Sequence, residues 1–133
     1  MNVADVEGIG PLYAAKLETA GVKTTDDLLE RGAKPKGRED LEAATGIGHT
    51  ILLKWVNRVD LYRIDGIGSE YSDLLEVAGV DTVPELAQRN AANLTDTLAE
   101  ANASRNLVRR LPTLEVVADW IEQAKKLPRV VQY

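Results

Sequence analysis

The chain repeats itself. Residues 6–31 and 64–89 carry the same residue at twelve places, at the constant offset that takes Gly8 to Gly66. In the first copy these are Gly8, Ile9, Gly10, Tyr13, Leu17, Glu18, Ala20, Gly21, Val22, Thr24, Leu28 and Arg31. Each copy opens on an apolar residue, an acid and Gly-Ile-Gly: Val6-Glu7-Gly8-Ile9-Gly10, then Ile64-Asp65-Gly66-Ile67-Gly68. A third such turn, Gly46-Ile47-Gly48, lies between them. Two glycines around one apolar residue let the backbone turn sharply, because glycine reaches positive φ without a Cβ clash. The isoleucine can then point back and pin the flanking helices together. The helix that follows starts with outward-facing N–H groups, a natural seat for a phosphate or a carboxylate.

Helical signals fill the rest. Val3 to Val6 reads as a short first helix capped by Asn2. Pro11 opens a second helix, where its missing N–H costs little, and Gly21 ends it. Tyr13, Leu17 and Ala20 share one face of that helix. Thr24 with Asp27 reads as a capping box for a third helix, rebuilt by Thr82 and Glu85 in the second copy. Ala33-Lys34-Pro35-Lys36-Gly37-Arg38 reads as a basic loop broken by Pro and Gly, with a fourth helix from about Glu39 to Ala44. A fifth runs from about Thr50 to Val59, with Leu52, Trp55, Val56 and Val59 as its stripe. The last helix, Leu114 to Leu127, repeats that stripe as Val117, Trp120, Ile121 and Ala124. The offset has grown by then, so the second copy holds an insertion around Ala103 to Pro112, where Gly-Ile-Gly is missing. Val130 to Tyr133 reads as a tail. No segment alternates like a strand.

Composition excludes several classes. The chain has 133 residues, 44% hydrophobic and 28% charged, as a soluble globular protein does. No apolar run approaches a membrane span, and the N-terminus carries no secretory signal. With no Cys there is no disulfide framework and no thiolate chemistry, which fits a cytoplasmic protein. His49 is the only His, so no His/Cys zinc site can be built, and it reads as a surface residue at a helix start. No cofactor, metal or small-molecule substrate is indicated. Gly-Ile-Gly is not a dinucleotide loop, because no strand precedes it and no third Gly follows in register. No Cys–His or Ser–His pair has catalytic spacing, so the chain reads as non-enzymatic. Sixteen basic against 21 acidic residues give a net charge of −5, whereas proteins that slide on nucleic acid are usually more basic.

The apolar–acidic–Gly-Ile-Gly turn, with a following helix that ends in Ala-Gly-Val, resembles the helix-hairpin-helix motif. The chain as a whole, to about Leu127, resembles the bacterial domain-of-unknown-function family 4332, built from such hairpins in tandem. The two Trp helices and Leu107-Val108-Arg109-Arg110-Leu111-Pro112 add to that resemblance. It implies an all-α fold of about ten short helices in two tandem repeats, residues 1–60 and 61–127, with 128–133 as the tail. Lobes of about 60 residues bury little surface alone, so the repeats are expected to share a core.

The superfamily resemblance implies sequence-nonspecific DNA binding through hairpin amides and nearby basic residues. Carried over, the contacts are Gly8, Ile9 and Gly10, then Gly46, Ile47 and Gly48, then Gly66, Ile67 and Gly68. The middle turn has the most favourable surroundings, with His49, Lys54 and the basic residues Lys34, Lys36 and Arg38. The outer turns depart from the motif: Pro11 and Leu12 follow Gly10, Ser69 and Glu70 follow Gly68, and Glu7 and Asp65 add negative charge. Basic residues also gather at Arg105, Arg109 and Arg110, and at Lys125, Lys126 and Arg129. The plain reading of the glycines is tight helix packing. Under it the chain is a protein–protein interaction or assembly adaptor with no nucleic-acid binding, which the acidic balance favours. Trp55 and Trp120 are expected in the core, and Tyr13 and Tyr71 at least half-buried.

Overall fold

Helix starts and stops along the chain produce an all-α fold. A computed structural model describes residues 1–133. After a 3-10 turn at Val3–Asp5 come α1 (Gly10–Thr19), α2 (Thr25–Gly32), α3 (Pro35–Thr45), α4 (His49–Leu61), α5 (Ser69–Val77), α6 (Val83–Ala87), α7 (Ala91–Arg105) and α8 (Leu114–Lys126). The only β-type pairing is an isolated bridge between Asn2 and Thr24. Asn2 makes no side-chain cap; its carbonyl accepts from the Asp5 amide, and Val3 N–H donates to Lys23 O.

The chain packs as two compact units. The first is Met1–Asp60 together with Arg129–Tyr133, and the second is Leu61–Pro128. In the first, Val3, Val6, Ile9, Leu17, Leu28, Leu41 and the stripe Leu52, Trp55, Val56 and Val59 are buried. In the second, Ile64, Ile67, Leu74, Leu75, Leu86, Leu94, Leu98 and the stripe Val117, Trp120, Ile121 and Ala124 gather into one cluster.

Matching sequence makes matching contacts. Gly21 N–H donates to Glu18 O and Val22 N–H to Leu17 O; Gly79 and Val80 donate to Glu76 and Leu75 in the same way. These are the two hydrogen bonds of a Schellman stop. The guanidinium of Arg31 reaches the Ala20 carbonyl at 3.1 Å, and that of Arg89 the Ala78 carbonyl at 3.5 Å. Tyr13 meets Trp55, and Tyr71 meets Trp120, each with ring centroids 5.2 Å apart. Gly66 shows why the turn needs glycine twice over: its φ is +97°, and a Cβ there would stand 3.0 Å from Trp120 Nε1.

From Pro35 on, the basic stretch is helix, not loop. Pro35 takes the first position of α3, where a missing N–H is harmless, and Lys34 is its N-cap residue. Gly37 does not break this helix. It lets α3 lie against the end of α2, because a Cβ would overlap the Arg31 carbonyl. In the insertion, α7 runs on to Arg105 and stops at Asn106, which takes the left-handed conformation (φ 50°) that Gly46 takes after α3. The side chain of Asn102 then brackets Val108, accepting from its N–H at 2.9 Å and donating to its carbonyl at 3.1 Å.

The terminal residues are held. Val131 is buried, Gln132 N–H donates to Ala33 O at 2.7 Å, and the Tyr133 hydroxyl donates to Asn57 Oδ1 at 3.0 Å. Arg129–Tyr133 is thus an extended strap across the first unit.

Candidate functional site

The middle turn was expected to offer its amides to a phosphate, and the protein's own groups occupy most of them. Gly46, at the end of α3, donates its N–H to Glu42 O at 2.8 Å. Ile47 N–H donates to Thr45 Oγ1, whose own hydroxyl donates to Leu41 O. His49 N–H, the first of α4, donates to the Glu42 carboxylate at 2.7 Å. A carboxylate at a helix N-terminus is stabilised by the N–H groups and the helix dipole. Glu42 therefore sits where an incoming anion would sit. Gly48 is exposed and His49 half-buried.

The outer turns are built alike. Ile9 N–H closes onto Val6 O, and Ile67 N–H onto Ile64 O, both at 3.1 Å. Ile9, Ile47 and Ile67 are all buried, pinning their turns as expected. Gly8 and Gly66 lie exposed at the turn tips, with Gly10 and Gly68 half-exposed behind them. In the second unit Gln123 of α8 clamps Asp65, accepting from its N–H at 2.8 Å and donating to its carbonyl at 3.3 Å.

The basic residues do not gather as one patch. Lys34 and Lys54 are exposed. Lys36 is exposed and pairs with Asp40 one turn on at 3.0 Å; that contact raises the Lys36 pKa. Arg38 is a correction to the sequence reading. It is only 1% exposed, because it lies on the buried face of α3 with Leu41. Its Nη1 donates to Gly32 O at 2.8 Å and Ala33 O at 3.1 Å, and its Nη2 donates to Gln132 O at 2.6 Å. Burial lowers its pKa, with Tyr133 acting in the opposite direction. Its Nε is buried with no hydrogen-bond partner. Arg38 holds the strap and is closed to a phosphate.

Sequence reasoning missed two features: Glu42 as a latch, and the strap as part of the first unit. The first had a signal, an acid three residues before the helix-ending Thr45 and seven before His49. The second had none, since Arg38 and Gln132 meet across 94 residues.

Side chains behind the turns are apolar or acidic. Leu12, in the first turn of α1, is 70% exposed, and Ile51, in the first turn of α4, is 40% exposed. The corresponding first turn of α5 carries exposed Glu70. From the last residue of α7 to the first turn of α8, Arg105, Arg109 and Arg110 are exposed, as are the apolar side chains Leu111, Leu114 and Val116. There is no cluster of three or more His, Cys, Asp or Glu able to hold a metal ion, and no helix is long and apolar enough to cross a membrane.

No curated protein and no solved structure matches the chain. Residues 7–127 match the family described as a domain of unknown function, DUF4332. That match spans both units and every helix from α1 to α8, and the chain belongs to this family.

Proposed function

We propose that the chain is a non-enzymatic protein-interaction or assembly module, in which helix-hairpin-helix turns in tandem build the scaffold. The observation that carries this reading is the character of the positions just behind the turns. Leu12 and Ile51 present large apolar side chains to solvent, and Glu70 presents a carboxylate. Exposed apolar residues at a rigid helix start suit contact with another protein surface. A duplex would need cations there. The Glu42 carboxylate on the His49 amide and the burial of Arg38 support the same reading.

A second reading, sequence-nonspecific DNA binding, is favoured by one observation. The guanidinium groups of Arg105, Arg109 and Arg110 are exposed on one segment and form no ion pair. Titration of labelled duplex DNA at low and moderate salt separates the two. Under the interaction reading, duplex binding stays weak at low salt. Strong binding that falls steeply with salt, and is abolished by reversing Arg109 and Arg110 to Glu, would establish the DNA reading instead. Leu12→Asp should leave any duplex binding unchanged and weaken a protein contact made through α1.

A further inference from the structure

The strap is bound the way a peptide ligand is bound. Gln132 uses both of its backbone groups: its N–H donates to Ala33 O at 2.7 Å, and its carbonyl accepts from Arg38 Nη2 at 2.6 Å. Its side chain has no hydrogen bond, and the residue is exposed. Its neighbours make the side-chain contacts, Val131 by burial and Tyr133 through its hydroxyl. Tyr133, which is 58% exposed and whose ring is stacked by the strap's own Arg129, places that hydroxyl on Asn57 Oδ1 at 3.0 Å. Main-chain hydrogen bonds at one residue, with side-chain recognition of its neighbours, is the pattern by which folded domains take up extended peptides. The receiving groups come from three helices: the end of α2, Arg38 of α3 and Asn57 of α4. The Arg38 guanidinium is held independently of the strap by Gly32 O and Ala33 O, so the receptor geometry is set before the ligand arrives. Its buried Nε donates to nothing in the strap, leaving one donor for a ligand richer in acceptors.

We infer that the first unit carries a groove for an extended segment of the form apolar–any–tyrosine, which the chain fills with its own Val131-Gln132-Tyr133 and which takes a partner's segment of the same chemistry in exchange. This rests on the interaction reading and names one site for it. The in-cis segment competes at an effective concentration of about millimolar, so a partner must outbid it or arrive when the strap is displaced.

The test uses the full chain and a fluorescent peptide, acetyl-Arg-Val-Val-Gln-Tyr-amide. Val131→Asp puts a charge into a buried position of the strap and releases it without touching the groove. Anisotropy should show the peptide binding V131D at least tenfold more tightly than the unsubstituted chain. Replacing the peptide's tyrosine by alanine should lose most of that gain in V131D. In V131D/N57A, the tyrosine and alanine peptides should bind alike. Helical melts run in parallel. A V131D chain that melts cooperatively yet does not bind the peptide overturns the groove. So does one that loses its cooperative melt, since the strap is then an inseparable part of the fold. Equal binding to both chains would mark non-specific adsorption and also overturn it. Dimers of the unsubstituted chain that V131D dissolves would put a second copy's strap in the same groove, in support. Failure here removes this groove alone; the duplex titration separately decides whether the module binds protein or DNA.

Discussion

The Glu42 carboxylate accepts a 2.7 Å hydrogen bond from the backbone N–H of His49, seven residues on, and so bridges the end of α3 to the start of α4. The side chain of one helix caps the next across the Gly46-Ile47-Gly48 turn. Glu42→Ala should therefore lower stability by about 1 kcal/mol, as the loss of a helix cap does. Thermal melts measure this directly. The same substitution bares the α4 N-terminus. Duplex affinity that rose in E42A would show the turn to be an anion site restrained by its own acid.

The aromatic pairs anchor each unit. Trp55 and Trp120 are buried and meet Tyr13 and Tyr71. Trp55→Ala and Trp120→Ala should each cost about 3–5 kcal/mol. Emission from the folded protein should be blue-shifted relative to the denatured chain. Emission typical of exposed indole at both sites would contradict the packing. Gly66→Ala should be destabilising as well, through strained φ and the close Trp120 ring.

Charge changes at Lys36 and Arg38 should behave oppositely, although the two lie two residues apart. Lys36 is exposed, and surface ion pairs contribute little, so Lys36→Glu should hardly move the melting temperature. The buried Arg38 donates three hydrogen bonds, so Arg38→Glu should cost about 3 kcal/mol or more and loosen the strap. Equal effects from the two would mean that Arg38 is not buried in solution.

Two matching helix starts should respond to acid in opposite senses. Asp27 accepts from the backbone N–H groups of Lys23 and Thr24, which lower its pKa below 3.8. Its contribution to stability is full above that value and is lost as pH falls through the folded pKa. Glu85 occupies the same place in the second copy, but Asp81 stands where Lys23 stands. A hydrogen bond with the Asp81 side chain, reinforced by burial, raises Glu85 above 4.5. That contribution is present below 4.5 and is lost as pH rises through the raised value. Melting temperatures between about pH 3 and pH 7 should show Asp27→Asn flattening the acid limb. Asp81→Lys should raise stability at neutral pH. An unchanged stability in D81K would show that Asp81 does not act on Glu85.

Residues 1–60 alone should fold poorly. So short a lobe buries little surface on its own. A cooperative melt of the fragment matching that of the full chain would contradict this.

Much of the fold was written locally. The Thr24 and Thr82 caps, the Gly21 and Gly79 stops and the two Trp stripes are periodic or short-range signals, and each stands where the residues place it. The basic stretch misled because Pro and Gly are ordinary loop marks, while here Pro35 opens a helix and Gly37 permits a close approach. The candidate site was less legible for a related reason. A row of cations in sequence says nothing of which way each faces, and α3 turns Arg38 inward while leaving Lys36 outside. Exposure of Leu12 depends on packing around α1 that no short window contains.

The strap also sets a timetable for synthesis. Arg38 and Gln132, 94 residues apart, belong to one unit, and the whole of the other unit is made between them. At about 5–20 residues per second, the intervening stretch leaves the first unit without its strap on the order of ten seconds after its helices have been made. Leu61–Pro128 can therefore close before Met1–Asp60 receives the residues that complete its unit.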